Sequence, residues 1–567
     1  MWIDAICINQ QDLGERAQQV QLMGSIYTGA ARVVVWLGPE EDDSTRALEL
    51  VEWFAKHLSV DWKTQVMTTT PSAECPADLI DTRQSLILND RGPSLAKLLA
   101  RPWFRRVWIR QEIFLANQRA AVVQCGHMVI PWVSLKDVAF FFDNTLVFFY
   151  PDVDKDSELN GQVFPHVHRA RQLGREEPST LFSAMTDAVL SQCTDPKDRI
   201  FGVLSMIRDD ERQALGIVPD YTKTIRTVYT ELALTCLEKK GDLEFLTYGG
   251  LHDPARFTGG ITFPTWVPDW TSRCKGIKTH LPNAGGNLSH DARKVGSRTL
   301  RMSAVLVSRL DKVFSPRKQH ASLHSVYQDM RFTFTTCQKE GHAHAGDDGL
   351  VDAITRAWFR NDFADRMSPV GSTSKRMLFC EGRALILKNI VQDLGPHHKM
   401  LDSESRALQV FTSPLQKGLF ALSHDGYIAS VPRTAEVGDV FCVLPGCAAP
   451  LLLRPTAPED QVADRNRETY QIVGEAYLDG FMDGEALFGR LPQGHRAVWR
   501  RTTKDDHQAP AFMEDSSSNL VWDDPRLRSM GLLQRSATWE EARKHQMTLT
   551  PTVLRQHGVP LVEIDLV

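Results

Sequence analysis

The sequence predicts an α/β protein. Its first domain carries a parallel sheet, a mainly helical region follows, and a small β module lies toward the C-terminus. Three observations lead there. Met1–Gly38 reads as strand, helix and strand within about forty residues, the spacing of a βαβ unit with a right-handed crossover. From Leu135 to about Lys240 the apolar residues recur at helical spacing. From Phe420 onward, short apolar runs alternate with Gly-rich turns such as His424-Asp425-Gly426 and Glu436-x-Gly438-Asp439, as in a small barrel.

Taken in order, Trp2–Ile8 is a short apolar run broken only by Asp4, hence a buried strand. A carboxylate in such a strand either ties a neighbouring loop or serves a function. Asp12-x-x-Glu15 is a capping box, and Leu13, Ala17, Val20, Met23 and Tyr27 make the apolar face of the helix it opens. Arg32–Leu37, stopped by Gly38-Pro39, is a second buried strand. Ala47–Leu58 forms the next helix, residues 60–92 lack a clean period and read as an insertion or lid, and Leu95–Leu99 is a short helix ended by Arg101-Pro102. Trp103–Asn117 reads as one helix, and Ala120–Cys125 with Met128–Trp132 as a hairpin. Phe263–Trp270 is a Pro-set aromatic segment expected to dock on a core, and Thr548–Leu566 is expected to return as one strand. The expected domains are 1–135, 136–270, 271–419, 420–490 and a tail, 491–567.

Composition narrows the functional classes. At 567 residues the chain exceeds one core. A net charge of −5, without a basic tract, gives no argument for nucleic acid. The longest apolar stretch, Val138–Tyr150, is interrupted by Asp143 and Asn144 and is too short to span a bilayer. Ten scattered cysteines, with no C-x-x-C, suit a reducing, cytoplasmic setting. His342 and His344 lack further ligands at metal spacing, so no metal is assigned. No phosphate-binding loop of the G-x-x-x-x-G-K-[ST] type is present.

Several blocks carry a family resemblance. They are Trp2-Ile3-Asp4-Ala5-Ile6-Cys7-Ile8-Asn9-Gln10 with Glu15-Arg16; Val35-Trp36-Leu37-Gly38; Arg101-Pro102-Trp103-Phe104-Arg105-Arg106-Val107-Trp108 with Gln111-Glu112; Asp195–Gly202; Pro219-Asp220-Tyr221; and Trp266–Trp270. Together they resemble the fungal heterokaryon incompatibility (HET) domain, while Gly426-Tyr427, Gly438-Asp439 and Gly474–Tyr477 resemble the C-terminal β module of full-length members. The resemblance implies fungal non-self recognition and regulated cell death, with protein partners: self-association or an upstream sensor. It also implies a distant relation to Toll/interleukin-1 receptor (TIR) domains, hence a TIR-like, flavodoxin-like parallel sheet.

Some TIR domains cleave NAD using a glutamate within Trp-x-x-x-Glu. Trp108-Ile109-Arg110-Gln111-Glu112 has that spacing, one helical turn. By this resemblance Glu112 is the catalytic carboxylate, Trp108 a pocket wall, and NAD the substrate; no other cofactor is implied. Asp4 and Asn9, at the expected strand's carboxyl end, are ligand-binding candidates, as is Arg16 at the following helix start. The plainer reading makes Glu112 a surface ion pair with Arg105, Arg106 or Arg110, and Arg16 part of a solvated face. Family members carry an earlier strand with a Ser-Tyr-x-Trp-Gly-like block that this chain does not contain. The expectation is therefore a HET domain lacking its first strand, in a product that either starts upstream or is an inactive truncated fragment.

Overall fold

The computed structural model describes residues 1–62, 64, 66–70, 88–145, 166–251, 263–271, 281–314, 323–344, 346–368, 377–391, 418–456, 468–502, 508–516, 519–532 and 536–567. The chain is mixed α/β and divides into two compact units, Met1–Val228 and Tyr229–Val567.

The first unit begins with a helical turn, α1 (Asp4–Cys7), followed by α2 (Leu13–Gly29), β1 (Val34–Trp36) and α3 (Ser44–His57). A hairpin, β2 (Leu58–Asp61) and β3 (Val66–Thr69), precedes α4 (Leu88–Leu99) and α5 (Ile109–Phe114). Then come β4 (Val122–Cys125), β5 (Met128–Pro131) and α6 (Trp132–Thr145). The sheet has the order β1-β4-β5: β1 runs parallel to β4 with Val34 opposite Val122, and β4–β5 is the expected antiparallel hairpin. Helices α3, α4 and α5 make the crossover between the parallel strands. One sheet face packs on the core, where Val35, Val51, Phe54, Leu98, Ile113, Val123 and Phe142 gather. On the opposite face of β1, Val34 and Trp36 are about half exposed.

Three sequence expectations are corrected. Trp2–Ile8 is not a strand. Asp4 accepts a hydrogen bond from its neighbour's amide, Ala5 N, at 2.9 Å, and the Cys7 amide returns to the Ile3 carbonyl at 2.9 Å. A strand requires a ladder partner, and among the described residues Trp2–Ile8 pairs with none. Trp103–Asn117 is not one helix but a 3₁₀ turn, Pro102–Arg105, followed by α5. Between them Val107 N donates to Gln192 O at 2.9 Å, a pairing incompatible with continuous helix. Thr548–Leu566 is not one strand: Pro551–Gln556 is helical, with Thr550 Oγ1 capping Val553 N and Pro551 at the first position, and only Val562–Leu566 is extended. The 60–92 insertion contains the hairpin and the start of α4; residues 71–87, and with them the lid reading, lie outside the described residues.

The second unit is built on a long strand. Its strands are β6 (Arg293–Val295), β7 (Thr299–Phe314), β8 (Met367–Ser368), β9 (Leu419–Ser423), β10 (Ile428–Val431), β11 (Val440–Val443), β12 (Leu451–Pro455), β13 (Thr469–Glu475), β14 (Tyr477–Leu478), β15 (His495–Arg501), β16 (Gln508–Glu514), β17 (Leu520–Val521) and β18 (Val562–Leu566). β11, β12, β13, β18 and β7 pair in sequence and β7 pairs back to β11, closing a five-stranded ring. The far half of β7 leaves the ring to pair with β9, which carries β10 and β14. The short strands expected from Phe420 are present, but the ring closes only through β7 and β18. A smaller sheet, β17-β16-β15-β8, stands apart from it. Trp266 is fully buried, and its indole N–H donates to the Arg298 carbonyl at 2.7 Å. Among the described residues no helix is long and apolar enough to cross a membrane.

Candidate functional site

Two groups of side chains lie around α5 and α2. The first centres on Asp198. Asp12 caps α2, accepting from Gly14 N at 2.9 Å and Glu15 N at 3.0 Å, and so fixes Arg16 in the first turn. Glu15 closes no reciprocal box; its carboxylate accepts from Asn9 N at 2.9 Å instead. Arg16 then donates to Asp198 Oδ2 at 3.2 Å and lies over the Tyr221 ring, 3.7 Å from its centroid. Trp108 Nε1 donates to the same carboxylate at 3.1 Å, and the Tyr221 hydroxyl donates to Oδ1 at 2.6 Å. Lys197 Nζ donates to the Tyr221 and Lys223 carbonyls at 2.8 and 3.0 Å. Burial raises the pKa of the Asp198 carboxyl, and the bonds from Tyr221, Arg16 and Trp108 oppose that rise. Burial and Asp198 together push the Tyr221 phenol far above its ordinary value.

Four sequence blocks, carrying Arg16, Trp108, Asp198 and Tyr221, thus meet at one carboxylate. Both of its oxygens are occupied by protein donors, so the group ties the unit together and leaves little capacity for a ligand. Arg16 and Trp108, candidates for ligand contact and pocket wall, belong to this tie.

The second group holds Glu112. It lies in α5, one turn after Trp108, and is 9% exposed. Burial pushes its pKa up to about 7; the Arg106 charge draws it down and the Asp4 carboxylate adds to the rise. Arg106 donates to Asp4 Oδ2 at 3.2 Å, so the ion pair expected of Glu112 is made by Asp4. Burial raises the pKa of the Tyr27 phenol well above the ordinary range, with Glu112 and Asp4 adding to it, and the Trp2 and Tyr27 rings meet in a T-shaped pair with centroids 5.6 Å apart. Asp4, Tyr27, Arg106 and Glu112 therefore share one electrostatic neighbourhood. Asn9 is engaged locally: its amide donates to Glu15, and its side-chain oxygen accepts from Gln11 N at 3.2 Å.

Chemically, a buried carboxyl whose pKa is raised toward neutrality, near a second carboxylate and a guanidinium, can hold a proton or face a developing positive charge. Sequence reasoning missed Tyr27 and Asp198 as members of these groups. In the sequence Tyr27 reads as part of an apolar face, and Asp198 lies in a block too distant to be paired with Trp108.

In the second unit a cavity of about 430 Å³ is lined by His344, Asp352, Arg356, Tyr427, Asp479 and Arg490. Asp479 organises it, receiving Arg356 through both oxygens at 2.8 and 3.0 Å and the Tyr477 hydroxyl at 2.9 Å. The rings of His342 and His344 lie nearly parallel, 6.2 Å apart. Among the described residues no group of three or more His, Cys, Asp or Glu side chains is placed to hold a metal.

The profile of the family described as Heterokaryon incompatibility protein (HET) matches residues 1–112, and that of the Het-6 beta-barrel domain matches residues 388–489. The latter range contains β9–β14, whereas β7 and β18, which close the ring, lie outside it. The Heterokaryon incompatibility protein 6, OR allele, of Neurospora crassa is 25% identical over 570 aligned positions, covering 86% of this chain and 81% of that protein. No solved structure matches.

Proposed function

Because this chain is a fungal heterokaryon incompatibility (HET) domain protein, we propose that it acts in non-self recognition by triggering regulated cell death through its first unit. The observation that carries this reading is similarity to a heterokaryon incompatibility protein along most of both chains. In this proposal the HET unit signals by protein contact, in the cytoplasm, either with further copies of itself or with an upstream sensor. The tie at Asp198 keeps α2, α5 and the 195–221 segment in one arrangement, as a contact surface requires. The test is induced expression of the full chain in a filamentous fungus, scored for viability. Death is expected with the unaltered chain and not with Asp198→Ala, which unties the unit. Full viability with the unaltered, folded chain would sink the proposal.

The Glu112 group supports a second reading, NAD glycohydrolysis on a TIR-like HET domain. Its basis is a buried carboxyl raised to about 7 beside Asp4 and Arg106. In that reaction the bond between nicotinamide and ribose breaks, nicotinamide leaves with the bonding electrons, and water completes the cationic ribose centre. A Glu112 carboxylate would stabilise that centre or hold the ribose hydroxyls. NAD measured during the same induction separates the readings. Depletion that Glu112→Gln abolishes supports the enzyme, and death with NAD unchanged eliminates it.

A further inference from the structure

Arg110 stands two residues before Glu112 on α5. At about 3.6 residues per turn the two side chains leave on nearly opposite faces. Arg110 is 1% exposed. Its Nε donates to Ser191 Oγ at 2.9 Å and its Nη2 to Gln172 Oε1 at 3.1 Å, while its Nη1 is buried with no acceptor among the described residues. Among the described residues, the charges that act on it most are those of Arg169, Arg175, Arg199 and the Asp187 carboxylate, which Arg175 also engages at 2.8 Å. The Nε atoms of Arg105 and Arg199 are also buried with no acceptor among the described residues. Arg199 spends one Nη on the Ala188 carbonyl at 3.1 Å. His166, which feels both Arg105 and Arg169, is held at about 4 by burial and by those two charges, so it is neutral near pH 7 and neither adds to nor offsets the charge.

A buried guanidinium has no ready escape. It stays protonated, and an unmet N–H costs desolvation that nothing returns. Neutral partners such as Ser191, Gln172 and a carbonyl satisfy individual donors without balancing charge. We propose that Arg110, with the Arg199 charge beside it, binds a phosphate-type oxyanion. Burial lowers Arg110 only to about 10, so its charge persists at neutral pH. Phosphate suits the site better than a carboxylate, because it carries more acceptor oxygens and up to two charges against donors from separate side chains. Bound there, it ties α5 to the 188–199 segment. This site lies apart from the Glu112 group and depends on neither reading of it.

The test is thermal unfolding of the full chain in sodium phosphate and in sodium chloride of matched ionic strength, with ADP as a second probe. Saturating phosphate is expected to raise the midpoint of the affected transition by roughly 5 °C, and chloride not to. Arg110→Met and the milder Arg199→Gln are each expected to reduce that rise, the second covering the case in which the first fails to fold. A rise with ADP at about ten-fold lower concentration assigns the phosphate to a nucleotide, and equal potency assigns it to free phosphate; either supports the site. Equal midpoints in phosphate and chloride, or a rise undiminished in folded Arg199→Gln, overturns it.

Discussion

The indole N–H of Trp108 donates to Asp198 at 3.1 Å, joining residues ninety positions apart. The same carboxylate receives Arg16 and Tyr221. The tryptophan of the Trp-x-x-x-Glu pattern is therefore committed to a structural carboxylate, while the glutamate one turn later faces a different group.

That division makes separable demands on the two residues. Trp108→Phe keeps an aromatic ring but loses part of the indole's volume and its one donor, so it is expected to cost about 1–2 kcal/mol. Asp198→Ala leaves Arg16, Trp108 and Tyr221 without their shared acceptor and is expected to cost about 3 kcal/mol. Urea unfolding, followed by the transition of the first unit, measures both.

Glu112 gives the first unit a pH dependence of definite sign. Its pKa rises from 4.5 to about 7 on folding, so the native state holds the proton more tightly than the unfolded chain. Its favourable contribution is fully present below pH 4.5 and is lost as pH rises through 7. Glu112→Gln removes that loss. The variant should exceed the unaltered chain in stability by about 2–3 kcal/mol at pH 8 and match it near pH 4.5. Denaturant titrations at the two pH values decide it, and a variant advantage independent of pH would contradict the assignment.

Arg106 and Asp4 act on Glu112 in opposite directions. Arg106→Ala removes the charge that lowers the glutamate and should move its titration upward; Asp4→Asn should move it downward. Neither change should cost more than about 1 kcal/mol, since their ion pair is substantially exposed. NMR titration of carboxyl-labelled glutamate reads the two shifts.

The ring in the second unit depends on its last strand. β18 lies between β13 and β7, with Asp565 opposite Arg301 and joined to it through both oxygens at 2.7 and 2.8 Å. Leu566→Ala, at a fully buried position, is expected to cost about 3 kcal/mol. Deleting residues 562–567 should abolish cooperative unfolding of the second unit while leaving the transition of the first in place. Calorimetry resolves the two.

Much of this was legible in the chain because it depends on local chemistry. Asp12 caps α2 as its spacing to Glu15 suggested, although Glu15 turns to Asn9, and the β4–β5 hairpin follows from Gly126-His127 between two apolar runs. What misled was Trp2–Ile8. Its apolar content suits a strand, but strand formation is decided by a partner edge, which no local pattern records. Likewise β7 was hidden in a stretch that reads as mixed and polar. Its residues change neighbours from β18 to β11 to β9 along one strand, so its two faces do not keep a single alternation.

By itself the sequence determined the class, the caps and turns, the family blocks and their order, because each of these rests on contacts within a few residues. Tertiary structure alone decided where the blocks converge. It brought Arg16, Trp108, Asp198 and Tyr221 to one carboxylate, set Glu112 beside Asp4 and Tyr27, and gathered the arginines on the other face of α5. Such convergence costs chain entropy that only long-range burial and hydrogen bonding offset, and spacing along a chain carries no record of which distant partner supplies them.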